Sequence, residues 1–135
     1  MNIVFLTGAG ISSESGLSTY RDLEGIWKEY KIEDVATGKA WKKDKETVLK
    51  FHNLMQDKVL EVEPNHAHKQ IAWLANNTEH NVKVLTQNID DLHERAGLNP
   101  DDVYHLHGEI MRSRGTLDPS IKYECREHIN VGDKC

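Results

Sequence analysis

Apolar positions follow two rhythms along this chain. Ile3, Val4, Phe5 and Leu6 form a continuous run, which predicts a strand buried on both faces, as in a parallel sheet. Asn81-Val82-Lys83-Val84-Leu85-Thr86 reads as a second strand, and residues 103–106 as a third. Between the first two the spacing becomes helical. Over residues 28–61, Val48, Leu49, Phe51, Leu54, Met55, Val59 and Leu60 fall near i, i+3, i+4, i+7. Glu63-Pro64 ends that segment, and Asn65 is a natural N-cap for a helix over 66–76 with Ala67, Ile71, Leu74 and Ala75 on its apolar face. Residues 91–96 form a short helix stopped by Gly97. After residue 110, Gly115, Asp118-Pro119 and Gly132 interrupt a segment with little periodicity, which reads as an irregular lobe.

Polar residues gather where the strands end. Thr7-Gly8-Ala9-Gly10 follows the first strand, and a helix starting near Ala9 or Gly10 would aim its free N–H groups into that turn, a seat for a dinucleotide pyrophosphate. Gln87-Asn88-Ile89-Asp90 follows the second strand and His107-Gly108 the third. Strand parity puts Val103, His105 and His107 on one side, Tyr104 and Leu106 on the other. Ligands of open parallel sheets sit outside the carboxyl ends of the strands, so sequence order alone gives these three segments one address. His66 and His68, two apart on a helix, do not share a face and are a poor metal pair.

Composition narrows the classes. At 135 residues the chain fits a single domain, in which residues 28–62 form a helical insertion and 110–135 the irregular lobe. A net charge of −5 gives no reason to expect nucleic-acid binding. No apolar stretch approaches the ~20 residues of a membrane helix. Two cysteines, Cys125 and Cys135, are too few for a disulfide framework, so a reducing cytoplasm is the expected setting.

The ordered motifs resemble the sirtuins, NAD-dependent protein deacylases. Gly8-Ala9-Gly10-Ile11-Ser12 through Tyr20-Arg21 is similar to the family's opening motif, Gln87-Asn88-Ile89-Asp90 with Leu92-His93 and Ala96-Gly97 to its second, and Leu106-His107-Gly108 to its third. Gly25-Ile26-Trp27 and residues 33–37 resemble the bacterial branch. The resemblance implies an α/β fold: a Rossmann-like parallel sheet with helices on both faces and a small helical insertion, the C-terminal half of the sheet missing. It implies NAD as cofactor, bound through Gly8, Ala9, Gly10, Ser12, Tyr20, Arg21, Trp27, Gln87, Asn88, Ile89 and Asp90. Asn88 and Asp90 line the nicotinamide pocket, and His107 is the catalytic histidine, an imidazole suited to taking a proton from a ribose hydroxyl at neutral pH. The implied partner is an acyl-lysine protein or peptide, and the products are deacylated lysine, nicotinamide and O-acyl-ADP-ribose. An NAD hydrolase or ADP-ribosyltransferase would need the same Asn88, Asp90 and His107; a non-catalytic NAD- or partner-binding module would not. On this reading Asn88→Ala costs the fold no more than about 1 kcal/mol.

Three departures from the family pattern stand out. Arg112 to Gly115 occupy the place where many members begin a zinc lobe, and two cysteines cannot supply four thiolates, so no metal is expected. Where deacylases of acidic acyl groups carry a Tyr-x-x-Arg pair, alignment through Phe51 places His52 and Met55, which favours an acetyl or other apolar acyl group. The segments that bind the peptide as an added strand and hold the adenosine lie outside these residues.

Overall fold

A computed structural model describes residues 1–19 and 29–134. Two compact units emerge. The first joins Met1–Thr19 to Val59–Glu109; the second joins residues 29–58 to 110–134.

The first unit is built on a three-stranded parallel sheet in the order β1 (Asn2–Thr7), β2 (Asn81–Thr86), β3 (Val103–His105). The register sets side chains of one face in rows: Ile3 beside Val82, Phe5 beside Val84 and Val103, and Thr7 beside Thr86 and His105. The apolar rows carry the core, in which Val82, Val84, Val103 and Leu98 pack with Ile71 and Ala72, flanked by Ile3, Phe5, Ile11, Leu74 and Ala75. The last row is polar and lies at the carboxyl ends of the strands.

Strand β1 departs from expectation. Its burial alternates, and Val4 and Leu6 are 61% and 68% exposed rather than covered on both faces. Among the described residues β1 is an edge strand, and its outer face is exposed. On β3, Val103 is buried and the His105 ring almost so, while Tyr104 and Leu106 face outward, as strand parity requires.

The helices α1 (Ala9–Ser13), α2 (Ile32–Val35), α3 (Gly38–Lys43), α4 (Lys45–Glu61), α5 (His66–Asn77) and α6 (Leu92–Arg95) follow in chain order. The single helical rhythm expected over 28–61 is broken into α2, α3 and α4 where side chains cap new helices. Thr37 accepts from Ala40 N (3.0 Å), and Asp44 accepts from Thr47 N (3.0 Å). In the second unit, Val35, Ala40, Val48, Phe51 and Met111 are buried, and the Tyr30 ring meets Phe51 edge-on at 5.3 Å. The segment after residue 110 forms a small antiparallel ladder, β4 (Arg112–Arg114) with β5 (Lys122–Glu124). Gln56 ties this segment to α4 by donating to the carbonyls of Ile110 (3.3 Å) and Cys125 (2.9 Å).

Helix α5 packs Ile71, Leu74 and Ala75 against the core as expected, but not Ala67. Ala67 is exposed, and His68 is fully buried with Ile71 and Ala72. The inward face therefore begins one residue later, at His68, and runs i, i+3, i+4, i+7 to the half-buried Ala75. Asn65 sets that phase. Its Oδ1 accepts from Ala67 N (3.0 Å), its backbone N–H donates to His68 Nδ1 (3.3 Å), and its Nδ2 donates to Ile11 O (2.6 Å) and Ser15 Oγ (3.0 Å). One side chain thus caps α5 and holds α1 against it. Removing it in Asn65→Ala should lower the unfolding free energy by about 2 kcal/mol. Asn65→Asp keeps the cap acceptor but loses the donor to Ile11, and should fall between the two in urea denaturation.

Candidate functional site

The polar row at the sheet end organises the loops beyond it. Thr86 Oγ1 accepts from Asn88 N (3.0 Å), and His105 Nδ1 meets Asn88 O at 2.8 Å, so both peptide groups of Asn88 are fixed by neighbouring strands. Gln87 N donates to Thr7 O (3.0 Å), and Leu106 N donates to Thr86 O (2.9 Å), extending the ladder past the strand ends. Thr7 Oγ1 lies 3.1 Å from His93 Nε2 on α6.

Helix α1 starts at Ala9, one residue after Gly8, which adds no side-chain cap. Gly10 is exposed, and a Cβ built on it would meet nothing within 4 Å; one on Gly8 would lie 3.7 Å from Gln87 Oε1, ordinary contact. Ser12 points the other way, into the protein, at 2% exposure. Its hydroxyl accepts from Asn88 Nδ2 (3.1 Å) and donates to Asp90 Oδ2 (2.9 Å), while Asn88 Nδ2 also donates to Gly8 O (3.1 Å). Asp90 Oδ1 accepts from Leu92 N (3.2 Å). The glycine turn and the loop after β2 are thereby tied into one polar cluster. Both N–H bonds of the Asn88 amide are used, whereas its Oδ1 has no partner among the described residues.

This cluster bears on the expected cost of changing Asn88. At 8% exposure, with its amide donating to two acceptors, Asn88 is part of the buried network. Its truncation removes two buried hydrogen bonds, although Gly8 O keeps Ile11 N and Ser12 Oγ keeps Asp90, and should cost about 1–3 kcal/mol, above the ceiling of about 1 expected from sequence.

Behind the cluster lie buried histidines that the sequence reading left aside. His68 Nδ1 accepts from Asn65 N, so its proton sits on Nε2, which reaches Ser12 Oγ at 3.5 Å. A directional chain results, from the α5 cap through His68 and Ser12 to Asp90. Burial holds the His68 ring below its ordinary pKa, with the Asp90 charge opposing. Burial raises Asp90 above the usual carboxylate range, against the pull of the Ser12 and Leu92 hydrogen bonds. His93 stacks edge-on with His68 at 4.9 Å between centroids, and burial, with the neighbouring His68, pushes it down to about 4. The signal for His68 was present in the α5 spacing; its polarity hid it.

His107 lies in the turn after β3, exposed and without a hydrogen bond or ion pair to any described residue. Gln87 is exposed and Ile89 half-buried beside it. Gly8, Ala9, Gly10, Ser12, Gln87, Asn88, Ile89, Asp90 and His107 thus all belong to the first unit, at the carboxyl end of its sheet. Tyr20, Arg21 and Trp27 lie outside the described residues.

Residues 8–130 match the model of the Sir2 family. The NAD-dependent protein deacylase of Helicobacter pylori strain 26695 is 45% identical over 132 residues, covering 98% of this chain and 56% of that protein. The protein of the same description from Bacteroides thetaiotaomicron is 42% identical over 139 residues, 98% of this chain and 58% of that one. A Sir2 homologue solved as an NAD complex superposes with a TM-score of 0.85 at 38% identity, covering 99% of this chain and 52% of that one. Another solved structure, of Sir2 with a deacetylated p53 peptide and 3′-O-acetyl ADP-ribose, gives 0.74 at 34% identity over 90% of this chain and 48% of that one. The chain therefore spans about half the length of the curated relatives it matches.

The buried histidines give a residue-specific expectation. The His93 ring resonances should stay flat from pH 8 to about 5 in an NMR titration and move only near 4. Because the unfolded chain binds that proton from about pH 6.5 downward and the native state refuses it, His93 takes stability away as the pH falls through this window, by up to about 3 kcal/mol.

Proposed function

Because this chain belongs to the Sir2 family, we propose that its strand-end loops form the nicotinamide and phosphate side of an NAD-dependent protein-lysine deacylase. The observation that carries the reading is the Ser12 hydroxyl, bonded at once to the Asn88 amide and the Asp90 carboxylate. Through it, the glycine turn and the loop after β2 act as one rigid element, and cofactor and nicotinamide contacts come from the same body.

The donor set suits NAD. Bound here, the cofactor supplies a cleavable bond to nicotinamide and a ribose that takes the acyl group from lysine. Gly8 and Gly10 leave the turn free of side-chain bulk where the phosphates would lie. Asn88 Oδ1, with no partner among the described residues, accepts from the carboxamide N–H. Asp90 orients the Ser12 hydroxyl and, through it, the Asn88 amide. His107 is exposed and unencumbered, so its imidazole is available to take a proton from a ribose hydroxyl. In this reading Tyr20, Arg21 and Trp27 complete the cofactor loop.

An acyl-lysine protein or peptide is the substrate, and an apolar acyl group such as acetyl is favoured. Met55 carries no charge, and His52 Nδ1 is spent on Val48 O of its own helix (2.8 Å), so no arginine-like cation awaits a carboxylate there. A cytoplasmic setting without nucleic-acid or membrane partners completes the proposal. The net charge of −5 supports it, as does the lack, among the described residues, of a helix long and apolar enough to cross a membrane.

The natural gene product carrying these residues should convert NAD and an acetyl-lysine peptide to nicotinamide and O-acyl-ADP-ribose, followed by mass spectrometry. His107→Ala should lower turnover by about 10²-fold or more while NAD binding persists. Asn88→Ala should abolish nicotinamide release even where calorimetry shows it folded. Absence of O-acyl-ADP-ribose from the unmutated protein would overturn the reading.

A further inference from the structure

One almost buried side chain of the polar row has no part in the chemistry outlined above. The His105 side chain is 5% exposed and bridges two groups: Nδ1 lies 2.8 Å from Asn88 O, and Nε2 lies 2.8 Å from Glu94 Oε1 on α6. A peptide carbonyl and a carboxylate only accept hydrogen bonds, so both ring nitrogens must donate. The ring that fits this site is therefore the imidazolium. Asn88 is the residue whose amide the proposed chemistry depends on, and its peptide N–H is held from the other side by Thr86, the cross-strand neighbour of His105.

We propose that His105 and Glu94 form a charged clamp that positions Asn88 by holding its backbone carbonyl, so that Asn88 keeps its amide aimed at the nicotinamide only while His105 bears both protons. His105 is a positioning residue; it touches neither substrate nor cofactor. The inference rests on the deacylase reading for what Asn88 does, but not for the clamp itself.

The groups around the ring favour its charge. Glu94 faces it from α6, Asp90 from the loop after β2 and Glu109 from the segment after β3, while His93, the other titratable neighbour on α6, stays neutral down to about pH 4. Burial opposes both members of the pair, pushing the His105 ring down and the Glu94 carboxyl up. Burial is the largest single influence on each, but the mutual hydrogen bond, the backbone hydrogen bonds and the neighbouring charges together outweigh it, so His105 ends above its ordinary value and Glu94 below. The signs define a window. The His105 contribution is complete below the unfolded pKa of about 6.5 and is lost as the pH rises through its higher native value. The Glu94 contribution is complete above about 4.3 and is lost as the pH falls through its lower native value. A neutral ring has a single N–H and must release either Asn88 or Glu94. Glu94 Oε2 is already buried without a hydrogen-bond partner, which leaves the carboxylate nowhere else to turn.

¹⁵N NMR on the full, unmutated and uniformly labelled chain tests the clamp without any variant. At pH 6, below the ordinary imidazole pKa of about 6.5, both His105 ring nitrogens should carry protons, and the Asn88 amide signals should shift on raising the pH with the same midpoint as His105. A His105 that is neutral at pH 6, or Asn88 signals indifferent to its titration, overturns the clamp. Glu94→Gln retains an acceptor but removes the charge. It should move the His105 midpoint to lower pH by at least one unit and carry the alkaline limb of nicotinamide release with it. It should lower kcat about tenfold at pH 8 and leave the acyl-peptide KM unchanged. An alkaline limb that stays in place in Glu94→Gln would also overturn the clamp. If His105 and Asn88 titrate together but no nicotinamide forms at any pH, the clamp stands and the deacylase reading falls.

Discussion

The structure depends on the register of three short parallel strands. Because Thr7, Thr86 and His105 are cross-strand neighbours, the core face of the sheet ends in a row of hydrogen-bonding groups rather than another layer of valine. That row lies where chain direction requires the loops to leave, and each member holds a loop or helix in place. Thr86 and His105 take the two peptide groups of Asn88, and Thr7 meets His93. A slip of one residue in any strand would turn this row to the opposite face and dissolve the loops with it.

The interior behind the loops is unusually polar for so small a unit. Ser12, His68, Thr86, Asn88, Asp90 and His93 are all buried, and most are connected. Polar groups in such a place cost free energy unless matched. Here they are matched largely by one another, and the match fixes protonation states as well as positions. His68 is held as the tautomer that donates to Ser12, His93 is kept neutral and His105 is kept charged. Three imidazoles within one small region thus take three distinct roles, set by what each nitrogen faces.

Much of this was legible in the sequence. Strand β2 and the onsets of α1 and α5 follow from apolar runs bounded by glycine, proline and an asparagine cap, because those local signals coincide with what tertiary packing rewards. Parity along β3 correctly set Val103 and His105 on the side opposite Tyr104, while His107, put with them, lies past the strand end and is exposed. The misses have physical causes. Ile3 to Leu6 reads as doubly buried because hydrophobicity reports what a strand can bury, not what is present to cover it. His68 was passed over because histidine counts as polar, although its position completes the α5 stripe. The pairing of Glu94 with His105 joins a helix to a strand end, and no sequence period encodes that. Strands β4 and β5, Arg-Ser-Arg against Lys-Tyr-Glu, carry no apolar alternation to betray them.

Gly10 draws these strands together differently. Its backbone angles are ones any residue adopts, and a methyl group placed there would meet nothing within 4 Å. The described residues therefore give no reason for glycine at this position, and inside a helix glycine is worse than alanine by about 1 kcal/mol. The chain gives up that stability in the exposed first turn of α1 while investing heavily in order two residues on, at Ser12. Rigidity and vacancy are set side by side: a fixed inner wall of hydrogen bonds, and an outer surface stripped to backbone. Among the described residues, a molecule arriving there would find no side chain to displace, so the entropy of shaping that inner wall has already been met during folding.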